Sequence, residues 1–259
     1  MNIKATLAFA ALTAFLAPAA MAVPIIVDDF SAAGTRIADL QGNPAFVDVA
    51  DAGILGGNRF MWVSTDGTQD LGTGISANGD GQVNFNNDTG ATGQAVLIYD
   101  GGPAGRVNQM FNFADSPTNQ IGVNTGGLGG VNLVKGSVGT TSFKFDILSF
   151  DAGGIVQFWA YAWDTFGNLA TYDEELANPG PQISIDNKLG LSQFTTPVGF
   201  DWTSIGALAF SVESKTPEFD GALGTISVIP LPASAFLLLG GLGGLFGVSA
   251  ASRRRRRKA

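Results

Sequence analysis

The feature that most constrains this chain is a rhythm. Apolar runs of four to ten residues are each closed by Gly, Asn or Asp, and between Val23 and Ile229 no apolar pattern holds a 3.6-residue period long enough for a helix. Ser142–Phe150 alternates, with Phe143, Phe145 and Ile147 on one face and Lys144 and Asp146 on the other, the signature of a half-buried strand. Asp151-Ala-Gly-Gly154 reads as a turn into a second strand, Ile155–Trp163, so the two are expected to form a hairpin. Further strands are expected at Ile25–Phe30, Arg59–Ser64, Ile75–Ala77, Gln82–Phe85, Ala95–Tyr99, Ile183–Ile185, Leu191–Thr195, Ile205–Val212 and Leu223–Val228. Ten or more short strands without helical crossovers imply an all-β fold, an antiparallel β-sandwich of the jelly-roll kind in one domain, residues 23–229. Gly101–Gly136, rich in Gly, Asn and Thr, reads as a long flexible loop joining two halves of that sandwich.

Composition removes much chemistry. The 259 residues include no Cys and no His, which excludes disulfides, Cys/His zinc sites, thiol nucleophiles and His-based triads. Leaving out Lys4 and the basic run at 253–258, the domain holds 7 Lys and Arg against 22 Asp and Glu, a net charge of −15. Such a surface repels phosphate backbones, so no nucleic acid partner is expected.

The two ends read as addresses. Residues 1–22 open with Lys4, run apolar from Ala5 to Leu16, and close on Ala20-Met21-Ala22, the small-x-small pattern that signal peptidase cleaves, here after Ala22. Leu231–Ala251 carries no charge over 21 residues, and about 1.5 Å per helical residue makes that enough for a transmembrane helix, at 233–251. Arg253, Arg254, Arg255, Arg256, Arg257 and Lys258 follow as a stop-transfer tail on the cytoplasmic side.

Val228-Ile229-Pro230-Leu231-Pro232-Ala233, the Leu/Gly-rich span and the Arg cluster together resemble the VPLPA type of the PEP-CTERM sorting signals of Gram-negative bacteria, with Ile229 where that motif usually has Val. The resemblance covers residues 230–259 and the two before them. It implies recognition by an exosortase-type membrane transpeptidase, cleavage near Pro230, Leu231, Pro232 and Ala233, and an inner-membrane precursor that ends on the cell surface or outside the cell, commonly beside exopolysaccharide. Val27–Ser31, Ile54–Arg59 and Leu128–Leu133 also look like exported bacterial jelly-roll proteins of unassigned activity; that likeness implies a carbohydrate-binding-module-like shape and carries over no active site.

Period-two geometry places Trp159, Tyr161 and Trp163 on one face of their strand, where rings about 7 Å apart could stack on successive sugars. The competing reading is core packing, since Phe158, Ala160 and Ala162 make the other face apolar too, as in a central strand covered on both sides. Trp62 and Trp202 are the other candidate ligand contacts. Asp28 and Asp29 near the first strand and Glu218 and Asp220 before the last could meet as an oxygen cage for structural calcium, or remain solvated turn acids; no cofactor is required. Asn78-Gly79-Asp80-Gly81 lacks the closing Glu of a calcium loop and reads as a turn. Asp173-Glu174-Glu175 reads as a solvated acidic run. A carboxylate-dependent glycoside hydrolase or lyase would need a second, facing acid that no spacing supplies. The expectation is a non-catalytic surface or matrix protein associated with exopolysaccharide, with a carbohydrate-binding module as the alternative.

Overall fold

The computed structural model describes residues 23–34, 36–40, 42–66, 72–102, 122–151, 154–177 and 185–230. The strands are β1 (Ile25–Asp28), β2 (Ile37–Leu40), β3 (Ala45–Ala50), β4 (Asn58–Thr65), β5 (Gly72–Ala77), β6 (Val83–Asn87), β7 (Gly93–Tyr99), β8 (Thr141–Phe150), β9 (Ile155–Asp164), β10 (Leu169–Ala177), β11 (Ile185–Gly190), β12 (Ile205–Ser214) and β13 (Asp220–Pro230). They make two antiparallel sheets. One has seven strands in the order β11-β8-β13-β6-β5-β2, with β1 added on β13; the other has six, β10-β9-β12-β7-β4-β3. The protein is an all-β, two-sheet antiparallel sandwich, and its compact unit runs from Pro24 to Pro230.

Alternation builds the interior. Phe143, Phe145 and Ile147 point from β8 into the space between the sheets, while Lys144 and Asp146 pair outside at 2.8 Å. Phe210 on β12 meets Phe143 and Phe145 edge-on at 5.5 and 5.2 Å, so the two sheets interlock through an aromatic contact at their centre. The six-stranded sheet is also covered on its outer face. There Phe60, Trp62, Val96, Ile98, Tyr161, Trp163, Ala207 and Ala209 form a second buried apolar layer, with Val123 and Leu169 packed on it.

Several expectations are corrected. β8 and β9 are not a hairpin: β8 pairs with β11 and β13, and β9 pairs with β10 and β12. Both faces of β9 are apolar, as suits a strand inside a sheet that is covered twice, and the chain passes from one sheet to the other between Phe150 and Ile155. Leu191–Gln193 is a 3-10 turn rather than a strand, tied to β10 by the Thr171–Thr195 bridge just beyond it. The acidic run Asp173–Glu175 lies within β10, an edge strand where charge discourages pairing with another chain.

Nor is the described part of Gly101–Gly136 a loose loop. Leu128 N donates to Gly206 O at 2.9 Å, and Val131 and Ile205 exchange hydrogen bonds at 2.8 and 2.9 Å. Glycine makes that approach feasible: a Cβ on Gly206 would stand 1.7 Å from Thr125 O, and one on Gly127 would stand 1.7 Å from Asp100 O.

Residues 1–22 and 231–259 lie outside the described residues, and with them the signal-peptidase site at Ala20 and Ala22, the span 233–251, the basic run 253–258, and Leu231, Pro232 and Ala233 of the sorting motif. Pro230 closes β13. Among the described residues, no helix is long and apolar enough to cross a membrane.

Candidate functional site

The first and last strands lie side by side as antiparallel partners, but their register keeps the expected metal ligands apart. Asp28 faces Ile226 on β13, and Asp220 faces Asn86 on β6. Six residues of strand, about 20 Å at ~3.4 Å each, separate Asp220 from Ile226. Asp28 serves another purpose. Its side chain is fully buried, and its Oδ2 accepts from Arg59 Nη1 at 2.7 Å and from the Tyr99 hydroxyl at 3.1 Å, while Oδ1 accepts from Phe30 N at 2.8 Å. Burial pushes the Asp28 carboxyl above its ordinary value, against the pull of the guanidinium beside it. Asp29 accepts from the Ser31 hydroxyl and, at 2.9 Å, from Ser31 N, which together hold its carboxyl below the usual range. Among the described residues, no group of three acidic side chains is arranged to hold a cation.

The expected aromatic row is on the outer face of β9, as period-two geometry requires, but most of it is closed. Tyr161 and Trp163 stack at 6.1 Å and are 2% and 5% exposed, inside the outer apolar layer with Trp62. An open platform of three rings is therefore not present. Burial pushes the Tyr161 phenol well above its ordinary value. Trp202 is buried too, packed edge-on against Phe194 and Phe200 at 5.0 and 4.9 Å in the main core.

Trp159 differs, being only partly buried. The register sets its neighbours. Asp173 on β10 and Ser211 on β12 stand directly beside it, and one row further along the same face Gln157 stands between Glu175 and Glu213. Beyond them on β7, Val96 faces Ser211 and Gln94 faces Glu213. Gln94 Nε2 donates to Ser211 Oγ at 2.8 Å, and Glu213 is tied to Lys215 through Oε1, leaving Oε2 buried with no hydrogen-bond partner. Asp173 and Glu175 are exposed, and Gln157 is half-buried. One indole face is thus bordered by carboxylates, amides and a hydroxyl across neighbouring strands, a mixture suited to a ligand with one apolar face and many hydroxyls.

Sequence reasoning singled out Trp159 but not its neighbours, because Gln157, Ser211 and Glu213 become adjacent only through strand pairing. The period-two reading of Asp173 and Glu175 as one face of a strand was the signal available. Asp173-Glu174-Glu175 is split across the sheet: Glu174 turns to the other side and accepts the Tyr172 hydroxyl at 2.6 Å. Glu175 and Glu213, two strand spacings or about 10 Å apart, project from the same sheet face rather than toward each other across a groove.

No protein-family model and no curated protein matches the sequence. Among solved structures, the chain is similar to a family 11 carbohydrate-binding module from Clostridium thermocellum in complex with a β-1,3-1,4-mixed-linked tetrasaccharide, at 14% identity and TM-score 0.34 over 81% of this chain and 98% of that one. It is similar to CtCBM11 in solution at 12% identity and TM-score 0.38 over 83% and 99% of the two chains. An agarase, AgWH50C, is similar at 12% identity and TM-score 0.33 over 66% of this chain and 22% of that one. Likeness at this level leaves the fold to rest on the strand order and any ligand on the site itself.

Proposed function

We propose that this chain is an exported, non-catalytic carbohydrate-binding protein of the cell surface or extracellular matrix. The observation that carries this reading is the partly exposed Trp159 on β9 with Asp173, Ser211, Gln157, Glu175 and Glu213 around it on one sheet face. The indole supplies a stacking surface for one pyranose ring, and the flanking acceptors and amide donors take its hydroxyls. Signal peptidase removes residues 1–22, the apolar span holds the precursor in the inner membrane, and an exosortase-type transpeptidase cuts at Pro230–Ala233, so that the sandwich meets exopolysaccharide outside the cell. The sequence pattern at the two ends supports this route.

Affinity electrophoresis through gels containing exopolysaccharide from the host tests the binding. The chain is expected to be retarded, and Trp159→Ala to weaken retention roughly three- to tenfold, the worth of one aromatic contact. Equal retardation of both, with folding intact by circular dichroism, refutes the site. Intact-mass analysis of protein from washed cells and medium tests the route: residues 1–22 and the arginine tail are expected to be missing, and full-length chain from cells that contain the processing enzyme refutes it.

A further inference from the structure

The interior of the sandwich is not completely filled. A cavity of about 370 Å³ lies between the sheets and reaches the edge where β10 and β11 stand. Its walls are apolar and come from both layers, with Phe145, Phe210 and Leu97 buried inside and the partly buried Phe158 nearer the edge. Interiors normally close to crystal-like density, and Ala95 on a central strand, where a larger side chain would fill the space, leaves it open. At the edge the lining turns polar: Tyr172, Glu174, Lys188 and Gln193. The Tyr172 hydroxyl already donates to Glu174, so Glu174 presents its remaining lone pairs to solvent, and Gln193 Oε1 is occupied by Gly190 N at 2.7 Å.

The cavity is slender. It runs beneath four strands of one sheet and five of the other, about 14–19 Å at ~4.8 Å per strand spacing. Dividing its volume by that length leaves a cross-section of roughly 20–25 Å², the girth of a single extended hydrocarbon chain. A cavity of about 150 Å³ takes a six-carbon ring, so this one takes on the order of a dozen carbons. The rim restricts the head group: Glu174 and Lys188, one acid and one base, leave the mouth without net charge, which favours a neutral head whose hydroxyls donate to Glu174.

The geometry points to a binding site, between the two sheets, for a single-chain amphiphile with a neutral, hydroxylated head, an alkyl or acyl glycoside. It opens on the inner side of the six-stranded sheet, opposite the outer-face row around Trp159, and shares only Ser211 with it, so either site can fail without the other. The test is photo-labelling of the full chain with dodecyl glucoside carrying a diazirine near the end of its alkyl chain, followed by peptide mass spectrometry. Adducts are expected on β7 and β12 near Leu97 and Phe210, and are expected to vanish in Ala95→Leu, which fills the cavity; comparing variants cancels any binding by the apolar ends. Leu223→Phe, which fills the same space from the other sheet, is the second variant should Ala95→Leu not fold. Unlabelled dodecyl glucoside is expected to compete roughly two hundred-fold better than octyl glucoside, the worth of four buried methylenes. The inference is overturned if labelling falls only outside the cavity, if it persists in both folded filling variants, or if dodecanoate competes better than the neutral glycoside.

Discussion

Arg59 is fully buried on β4, and its removal offers a quantitative test of how the first strand is held. In Arg59→Met the hydrocarbon volume is largely kept, but Asp28 loses its cation and Ala32 O loses the 3.0 Å donation from Arg59 Nη2. Breaking a buried ion pair by deleting one partner costs about 3–5 kcal/mol. Tyr99 and Phe30 still donate to Asp28, which puts that loss near the lower end, and the orphaned carbonyl adds about 1 kcal/mol, for roughly 4 kcal/mol in all. The expected fall in melting temperature is roughly 8–16 °C by calorimetry for a domain of this size.

The sign with pH follows from Asp28. Its folded pKa is already raised by burial and loses two opposing influences of Arg59 in the variant, so it rises further. A carboxyl raised on folding favours the folded state below its unfolded value, near 3.8, and that contribution disappears as pH climbs through the folded value. The variant's deficit is therefore full at pH 7 and shrinks on acidification as Asp28 takes a proton. Adding Asp28→Asn to Arg59→Met should recover most of the loss at pH 7. A deficit below about 1 kcal/mol, one that is the same at pH 7 and pH 4, or no rescue by Asp28→Asn would refute the argument.

Three further outcomes are expected. Gly206→Ala should cost about 3 kcal/mol or more in urea unfolding, because its methyl group meets the Thr125 carbonyl; a loss under about 1 kcal/mol would mean that the 122–134 segment can back away from β12. In alkaline absorbance titration none of Tyr99, Tyr161 and Tyr172 should ionise near 10 while the chain is folded. Tyr172, pushed up to about 12 by burial and by Glu174, should go first, and stability from all three should be intact below 10 and lost as pH rises through their folded values. Glu174→Gln should move the Tyr172 step down toward 10, and an unchanged step would remove Glu174 as a cause.

The sandwich was legible wherever a strand had one wet face or a sharp stop. The Phe143–Ile147 alternation set β8 with its correct inward face, and the double apolar face of β9 marked a central strand, as its pairing with β10 and β12 bears out. Strand pairing was less legible. Adjacency in sequence suggested a β8–β9 hairpin, whereas β9 pairs with β10 and β12 in the other sheet. β10 was hidden because three consecutive acids look like solvent-exposed loop, although Asp173 and Glu175 share the outward face of this edge strand with Leu169 and Thr171. β2 and β3 are short edge strands whose exposed Leu40 and Phe46 blur the pattern. At the site, Trp159 was readable from spacing, whereas Ser211 and Glu213 reach it from 52 residues or more along the chain only through register. Asp28 was weighed only as a calcium ligand or a solvated turn acid, and its buried ion pair was missed because its partner is distant in sequence. A lone arginine inside the apolar run Arg59–Ser64 was the clue that some acid had to be buried against it.

The pairing of β1 with β13 decides how the folded body responds to force. Ile25 sits opposite Val228, so the chain enters and leaves the sandwich at one pole, and the strands run back from that pole together. Tension applied between the entering and leaving backbone opens the pair rung by rung, like a zip, instead of sliding all its hydrogen bonds at once. A protein secured through both tails would peel first at Ile25, and the Asp28–Arg59 pair just inside is the stitch at which that tear would stop.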